Sequence, residues 1–292
     1  MNDQDWLAQR FEEHRSQLRG VAYRMLGSVS EADDAVQEAW IRLSRTDTSD
    51  VDNLHAWLTT VVGRVCLNML RSRKSRRESP LETHVPDPIV SPEEGVDPEQ
   101  EALLGASVGL AMLVVLDSLA PAERVAFVLH DVFAVPFDEI APIVGRTPTA
   151  ARQLASRARR RVQGAPVPDV DLTGQWAVVD AFIAAARAGD FERLVSVLDP
   201  DVVLRSDGGV ARPGLVSLVR GARDVAEQAM TFRQLAATRI LVNGLPGGVA
   251  WTPDGQPFAV VAMTVRGGKI VRIDILADPE RLAGLDLHGT GD

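Results

Sequence analysis

The 292-residue sequence contains one cysteine and no long apolar run, and so has little of what disulfides, thiolate-metal sites and membrane-spanning helices require. Its single cysteine, Cys66, excludes an intramolecular disulfide and a zinc site built from several thiolates. No apolar run reaches the ~20 residues that a bilayer-spanning helix needs. The first residues are polar and contain no apolar secretory segment. We therefore expect a cytoplasmic protein without a membrane partner, a metal or another cofactor.

A net positive charge is also missing, because 31 basic residues stand against 40 acidic ones and give a formal net charge of −9. The basic residues are nevertheless concentrated. Arg64–Arg77 holds six of them, Arg146–Arg161 holds six arginines, and neither stretch contains an acid. A local basic face binds phosphate even on an acidic protein, so nucleic acid is the first partner to consider. The alternative is a solvated basic face on an ordinary core helix.

The second basic stretch contains a turn at Gly145–Pro148. Apolar residues on both sides have the spacing of two crossed helices, Phe137–Val144 and Thr149–Val162. This pattern predicts a helix-turn-helix whose second helix enters the major groove of DNA. Because proline disrupts a helix interior, Pro142 predicts a late start or a bend in the first helix. The outward-facing polar residues of the second helix are Arg152, Gln153, Ser156, Arg157 and Arg160.

The first 77 residues predict three amphipathic helices. The second helix has an acidic outer face, and the third begins near Leu54 and ends in the first basic stretch. Glu78–Glu101 then carries eight acids, five prolines and no lysine or arginine. It is predicted to be an extended, poorly structured linker. A segment of this charge resembles nucleic acid electrostatically and is a candidate to occupy a basic nucleic-acid path on a partner. The alternative is a solubilising spacer.

The pattern changes after Gly164–Pro166. Helices are predicted at Trp176–Ala188, Phe191–Leu198 and near Ala222–Phe232. Strands are predicted at Val202–Leu204, Thr238–Val242, Val249–Trp251, Phe258–Val265 and Ile270–Leu276. Two helices, a strand, a helix and a meander predict a separate α+β domain in which a curved antiparallel sheet covers helices.

Three segments in the right order resemble one bacterial family. They are Ala22–Ser28, Asp33–Trp40, and Leu119–Arg124 followed by Ala150–Arg159. From Trp6 to about Val162 the chain resembles the extracytoplasmic-function (ECF) sigma factors of RNA polymerase. The resemblance implies two all-α domains, region 2 and region 4, which bind the polymerase core and the −10 and −35 promoter elements. Initiation of transcription is the function it implies.

The resemblance also implies roles for individual residues. Those implied to contact the clamp helices of the polymerase β′ subunit are Asp33, Asp34, Gln37 and Glu38. Those implied to handle the −10 element are Asn53, Arg64, Asn68, Arg71, Arg73 and Lys74, with the Thr46–Asn53 loop as the place for a flipped base. Those implied to meet the −35 element are Arg146, Thr149, Arg152, Gln153, Ser156, Arg157 and Arg160. Region 4 is also expected to meet the β flap.

The part after Asp171 resembles the SnoaL-like domains, cone-shaped folds that are fused to a sigma-J-like subgroup of these factors. In that subgroup the extension is thought to contact the sigma domains and to regulate them in cis. The residues that match the subgroup's motifs are Asp207, Gly208 and Gly209, and Asp278, Pro279, Arg281 and Leu282. Val85–Pro88 resembles a shortened form of its linker motif.

These observations give a domain plan. Residues 1–77 are expected to form region 2, 78–104 the acidic linker, 105–164 region 4, 165–171 a second linker, 172–285 the SnoaL-like domain and 286–292 a flexible tail. Two alternatives stay open. One is a helix-turn-helix regulator that acts without polymerase core and has a ligand-binding C-terminal domain. The other is a cyclase-like enzyme, for which Asp274, alternating with Ile273 and Ile275, is the acid expected to point into the cone. We expect no enzyme, because one carboxylate does not make a site.

Overall fold

The computed structural model describes residues 3–46, 53–76, 83–92 and 109–287. Several predicted features lie outside them: residues 47–52 of the loop, the Lys74 side chain, residues 78–82 and 93–104 of the linker, and residues 288–292 of the tail. The first of two compact units comprises Met1–Ser79, Pro98–Gly105 and Val115–Gly164. The second comprises Pro80–Asp97, Ala106–Val114 and Ala165–Asp292.

The first unit begins with the three predicted helices. They are α1 (Asp3–Leu26), α2 (Val29–Leu43) and α3 (Leu54–Arg76). Gly27 ends α1 with a positive φ of 70°, a backbone conformation that glycine adopts without strain. The hydroxyl of Ser28 then accepts a hydrogen bond from the backbone N–H of Glu31 and caps α2. The chain therefore reverses between two helices that pack along their apolar faces.

The predicted helix-turn-helix is present in the same unit. It follows α4 (Leu110–Asp117), α5 (Pro121–Phe127) and a π-helical turn (Val128–Val132), and consists of α6 (Phe137–Val144) and α7 (Pro148–Val162). Gly145, with φ of 67°, ends α6, and the Thr147 hydroxyl caps α7. Pro142 predicted a late start or a bend of the first helix, and the late start is wrong, because α6 begins at Phe137. Pro142 lies inside α6 and is exposed.

Helices of the two predicted sigma regions pack against each other, which the sequence did not predict. Helix α3 contacts α5 and α6, and a side chain at Gly63 would lie 3.3 Å from Cγ2 of Ile143. The guanidinium of Arg124, only 1% exposed, forms an ion pair with Asp117 at 2.8 Å and donates to the carbonyl of Arg24 at 3.3 Å. The first unit therefore holds both regions in one closed arrangement.

The second unit is the predicted α+β domain. Its later helices are α8 (Leu172–Ala188), α9 (Phe191–Val197), α10 (Ala222–Thr231) and α11 (Pro279–Ala283). Its strands are β1 (Val90–Ser91), β2 (Leu198–Asp207), β3 (Ser217–Arg220), β4 (Ala236–Val242), β5 (Leu245–Trp251), β6 (Pro257–Arg266) and β7 (Lys269–Leu276). The core between α8 and the sheet includes Trp176, Val179 and Phe182.

The described strands form one sheet in the order β1-β4-β5-β6-β7-β2-β3. The expectation of an antiparallel sheet is wrong at one place, because β2 and β7 pair in parallel. Strands β3 to β6 lie between these two strands along the chain. Such a long connection permits parallel pairing, which a tight hairpin forbids.

Residues 83–92, which we call the strap, belong to this domain. Val90 and Ser91 pair with Val242 and Leu241 of β4, and the side chains of Val85, Ile89 and Val90 are buried. The expectation of a poorly structured linker is therefore wrong for the strap. Its few apolar residues find partners that are distant in sequence, which composition does not reveal.

Candidate nucleic-acid interface and C-terminal clamp

Helix α7, which we call the recognition helix, exposes a continuous polar face. Every residue predicted for the −35 element is exposed: Arg146, Thr149, Arg152, Gln153, Ser156, Arg157 and Arg160. The opposite face buries Ala151, Ala155 and Ala158, and their small side chains allow close packing against α5. The helix therefore presents to solvent arginine, glutamine, serine and threonine side chains, which are types that can bind base edges and phosphates.

Two further arginines of the recognition helix are engaged by the protein. Arg159 forms an ion pair with Asp131 at 2.5 Å. Arg161 lies 3.3 Å from the carboxylate of Glu123, which is itself buried. The basic stretch thus divides into arginines that face solvent and arginines whose charge is already paired.

Helix α3 brings three of the predicted −10 residues onto one face. Arg64, Asn68 and Arg71 are exposed and spaced at four and three residues, so they form a row along the helix. Asn53 caps the helix by accepting a hydrogen bond from the Ala56 N–H at 3.1 Å.

Arg73 is placed differently from the other −10 candidates. It forms an ion pair with Glu31 of α2 and donates to the carbonyl of Leu26 at 2.9 Å. In this structure it joins α3 to the α1–α2 turn, and its charge is not presented to solvent as that of Arg71 is.

The acidic face of α2 is also divided. Asp34 and Gln37 are exposed. Asp33 accepts from Arg19 at 2.5 Å, and Glu38 accepts from Arg42 at 2.9 Å. The contacts with Arg19 and Arg42 do not involve Asp34, so its exposed carboxylate is available on this face to a binding partner.

The motifs around Val85, Asp207 and Arg281 meet in the second unit. Oδ2 of Asp207 accepts a hydrogen bond from the backbone N–H of Val85 at 3.0 Å and lies 3.1 Å from Nδ1 of His84. The guanidinium of Arg281 donates to the same oxygen at 2.8 Å. It also donates to Asp87 at 2.6 Å and to the carbonyl of Val85. We call Asp207 and Arg281 the clamp, because together they hold the strap.

The groups around Asp207 favour the ionised form of its carboxyl. Burial alone would raise the pKa of Asp207, but hydrogen bonds from His84 and the Val85 N–H and the positive charge of Arg281 outweigh it. Together they hold the pKa of this carboxyl well below its usual range. Asp207 is therefore ionised at neutral pH, and its charge stabilises the docked strap.

The two glycines after Asp207 are required because other parts of the chain pass too close to them to leave room for a side chain. A side chain at Gly208 would lie 2.3 Å from the carbonyl of Arg212, and one at Gly209 would lie 1.8 Å from Oδ2 of Asp278. Gly209 also has a positive φ of 61°. Asp278 caps α11 through the Glu280 N–H at 2.9 Å. The glycine motif thus lets the start of α11, which carries Arg281, approach Asp207.

One residue of the strap site was missed by the sequence analysis. Oδ1 of Asn243 accepts from the Ile89 N–H at 3.1 Å, and the Asn243 N–H donates to the Ile89 carbonyl at 2.8 Å. Asn243 is completely buried and has a φ of 52°. The adjacent Asn243-Gly244 pair is a hairpin signal, so the turn was predictable although its contact with the strap was not.

The expectation that Asp274 points into the cone is wrong. A cavity between α8, α10 and the sheet is lined by Ile273 and Ile275, and Asp274 is absent from its wall. Since side chains alternate along a strand, Asp274 faces the other side of the sheet. There it accepts a hydrogen bond from Nε of Arg272 at 2.8 Å. The acid that the enzyme alternative invoked is therefore not in the cavity.

Comparisons with known proteins agree with this geometry. The chain matches Sigma-70 region 2 over residues 10–76 and Sigma-70 region 4 over residues 110–162. It is 40% identical to the ECF RNA polymerase sigma factor SigJ of Mycobacterium tuberculosis, over 95% of this chain and 93% of that one. It is 36% identical to the probable ECF sigma factor SigI of the same species, over 97% of both. The crystal structure of SigJ matches with a TM-score of 0.79 and 38% identity, over 96% of this chain and 99% of that one.

The chain belongs to the ECF RNA polymerase sigma factors. It is a sigma factor with region 2 and region 4 domains and a C-terminal SnoaL-like cone. As such it binds RNA polymerase core and promoter DNA, and it directs the initiation of transcription. Among the described helices, none combines the length and the apolar character that crossing a membrane requires.

Proposed function

We propose that the recognition helix reads the −35 element in duplex DNA, with Arg152, Gln153 and Arg157 at base edges. The observation that supports this is the exposed polar face of a firmly packed helix, in a chain of the sigma factor family. Arginine pairs with guanine and glutamine with adenine through two hydrogen bonds each. Arg146 and Arg160 meet phosphates, which fix position without reading sequence.

We infer that Arg64, Asn68 and Arg71 follow the backbone of the −10 element, because they form one exposed row on α3. Asp34 and Gln37 bind the β′ clamp helices, and region 4 meets the β flap. The charge of Asp34 suits a partner that carries basic side chains.

The experiment is promoter-directed transcription with purified polymerase core and the full chain. Gln153→Ala is expected to reduce transcription from the cognate promoter about tenfold, because a base contact made by two hydrogen bonds contributes about 1–3 kcal/mol of discrimination. The matched control is Gln163→Ala, an exposed glutamine that caps the end of the same helix. Equal activity of the two variants would contradict the role of Gln153.

We also propose that the closed arrangement of regions 2 and 4 is inactive. The numbers −35 and −10 give the positions of the two elements, so their centres are about 25 base pairs apart. This corresponds to roughly 85 Å along the DNA duplex. Helix α3 in direct contact with α5 and α6 does not allow both elements to be bound at that separation. The two regions must therefore separate before the promoter is engaged.

The clamp regulates this separation in cis. The chain between region 2 and region 4 includes the strap, whose ten residues span at most roughly 33 Å. Docking fixes this segment on the C-terminal domain, and release of the strap lets it follow the two regions as they separate. In this proposal the C-terminal domain favours the closed, inactive arrangement by holding the strap, has no catalytic role, and acts in the cytoplasm where the polymerase is.

A further inference from the structure

The cone of the C-terminal domain contains a partly open apolar cavity of about 160 Å³. Its wall is formed by α8, α10 and strands β2 and β4 to β7, and includes Phe182, Phe232, Phe258 and Met263. An apolar void of this size destabilises a core that leaves it empty. A dry cavity of similar volume holds about one aromatic ring.

The void results from small side chains in the wall. Eight of the 24 lining residues are alanine or glycine, among them Ala229, Ala250 and Ala259. Ala250 and Ala259 are paired across β5 and β6, so neither strand extends a side chain across the space. Larger apolar residues at these positions would fill the cavity, as they do in ordinary cores.

The charged residues that line the cavity are all positive. The lining includes Arg187 and Arg233 and no acidic residue. Both arginines are exposed, and a side chain at Gly189, two residues after Arg187, would lie 3.7 Å from a terminal nitrogen of Arg233. Arg187 donates to the carbonyl of Ala237. Among the described residues, no carboxylate forms an ion pair with either guanidinium.

Polar groups inside the cavity are few. Ser206 is a buried polar residue of the wall, and Gln228 is half-buried. An apolar interior with two cations at its exposed rim fits a molecule that is apolar at one end and anionic at the other. Guanidinium binds carboxylate through two parallel hydrogen bonds.

We propose that the cone binds a small carboxylic acid with an apolar body of about one ring. The body occupies the cavity between the phenylalanines and the sheet, and the carboxylate lies between Arg187 and Arg233. This site is independent of the polymerase and promoter contacts proposed above, so it can be tested without transcription.

The test is isothermal titration of the full chain with 3-phenylpropionate and with its neutral counterpart 3-phenylpropan-1-ol. The acid is expected to bind with a submillimolar Kd and at least fivefold more tightly than the alcohol. The double variant Arg187→Gln, Arg233→Gln should bind the acid as weakly as the unchanged chain binds the alcohol. Arg220→Gln, at an exposed arginine of β3 outside the cavity wall, should bind as the unchanged chain does.

A variant that fills the cavity tests whether the apolar body of the ligand binds there. Ala259→Phe is expected to abolish binding of both compounds while leaving a cooperative thermal transition. If this variant does not fold, the arginine variants decide. The proposal is overturned if neither compound binds, if acid and alcohol bind equally, or if a folded Ala259→Phe chain binds the acid unchanged.

Discussion

The recognition helix and the clamp both depend on arginine, but they use it in opposite ways. Arg157 and Arg160 are exposed, and the protein supplies no carboxylate for them among the described residues. Arg281 donates to two carboxylates and a backbone carbonyl. An arginine with satisfied donors stabilises a protein contact, whereas one facing solvent is available to phosphate or base. The partners, and not the residue type, therefore decide the role.

The largest effect is expected from breaking the clamp. Arg281→Ala removes the cation that neutralises Asp207 and Asp87, and losing charged hydrogen bonds of this kind costs about 2 kcal/mol. Hydrogen exchange at the amides of Val85 and Ile89 should therefore accelerate roughly 30-fold.

Arg220→Ala is the control for this prediction, because Arg220 is exposed and lies on β3 away from the strap. Its strap amides should exchange at the original rate. Equal exchange in both variants would show that Arg281 does not hold the strap.

A smaller effect is expected from pH. The pKa of Asp207 is lower in the folded chain than in the unfolded one, so its contribution to stability is complete above the ordinary value of about 4. It is lost progressively as the pH falls below that value, because the unfolded state takes up the proton first. Asp207→Asn should reduce the free energy of unfolding by about 1.5 kcal/mol at pH 7.

The difference between the unchanged chain and Asp207→Asn should shrink as the pH decreases from 5 to 3 in urea titrations. The clamp carboxylate faces His84 and Arg281, with Asp87 on the far side of the guanidinium. A difference that stays constant over this range would mean that the charge of Asp207 does not stabilise the strap.

The smallest effect is expected on the recognition helix. Arg160→Ala removes a free charge near phosphate and should lower the slope of log K against log salt by about one for promoter binding by the holoenzyme. Arg159→Ala should change the slope less, because Arg159 is already paired with Asp131. Equal slopes for the two variants would show that pairing with a carboxylate does not decide which arginine contributes to promoter binding.

Much of the helical architecture was predictable from local pattern. The apolar spacing around Gly145 predicted the helix-turn-helix, and glycine at the turn has the positive φ that the fold needs. The exposed face of the recognition helix followed from the same periodicity. These features depend on neighbours within a few residues, which the sequence displays directly.

The remaining features depend on contacts between distant segments. The strap docks because Asn243 and Asp207 accept its amides, although its composition is typical of a linker. The pairing of Arg73 with Glu31 links α3 to α2, and no local pattern reveals it. Asp274 was assigned to the wrong face because alternation shows which residues share a face, but not which face lines the cavity.

The closed arrangement is tested most directly by locking it. A chain with Gly63→Cys and Ile143→Cys joins α3 to α6 by a disulfide when oxidised, and the native Cys66 does not compete because it is buried and burial raises its pKa to about 12. With purified polymerase core, the reduced chain is predicted to initiate at its promoter and the oxidised chain to be inactive. Equal initiation by the oxidised and reduced chains would contradict the account.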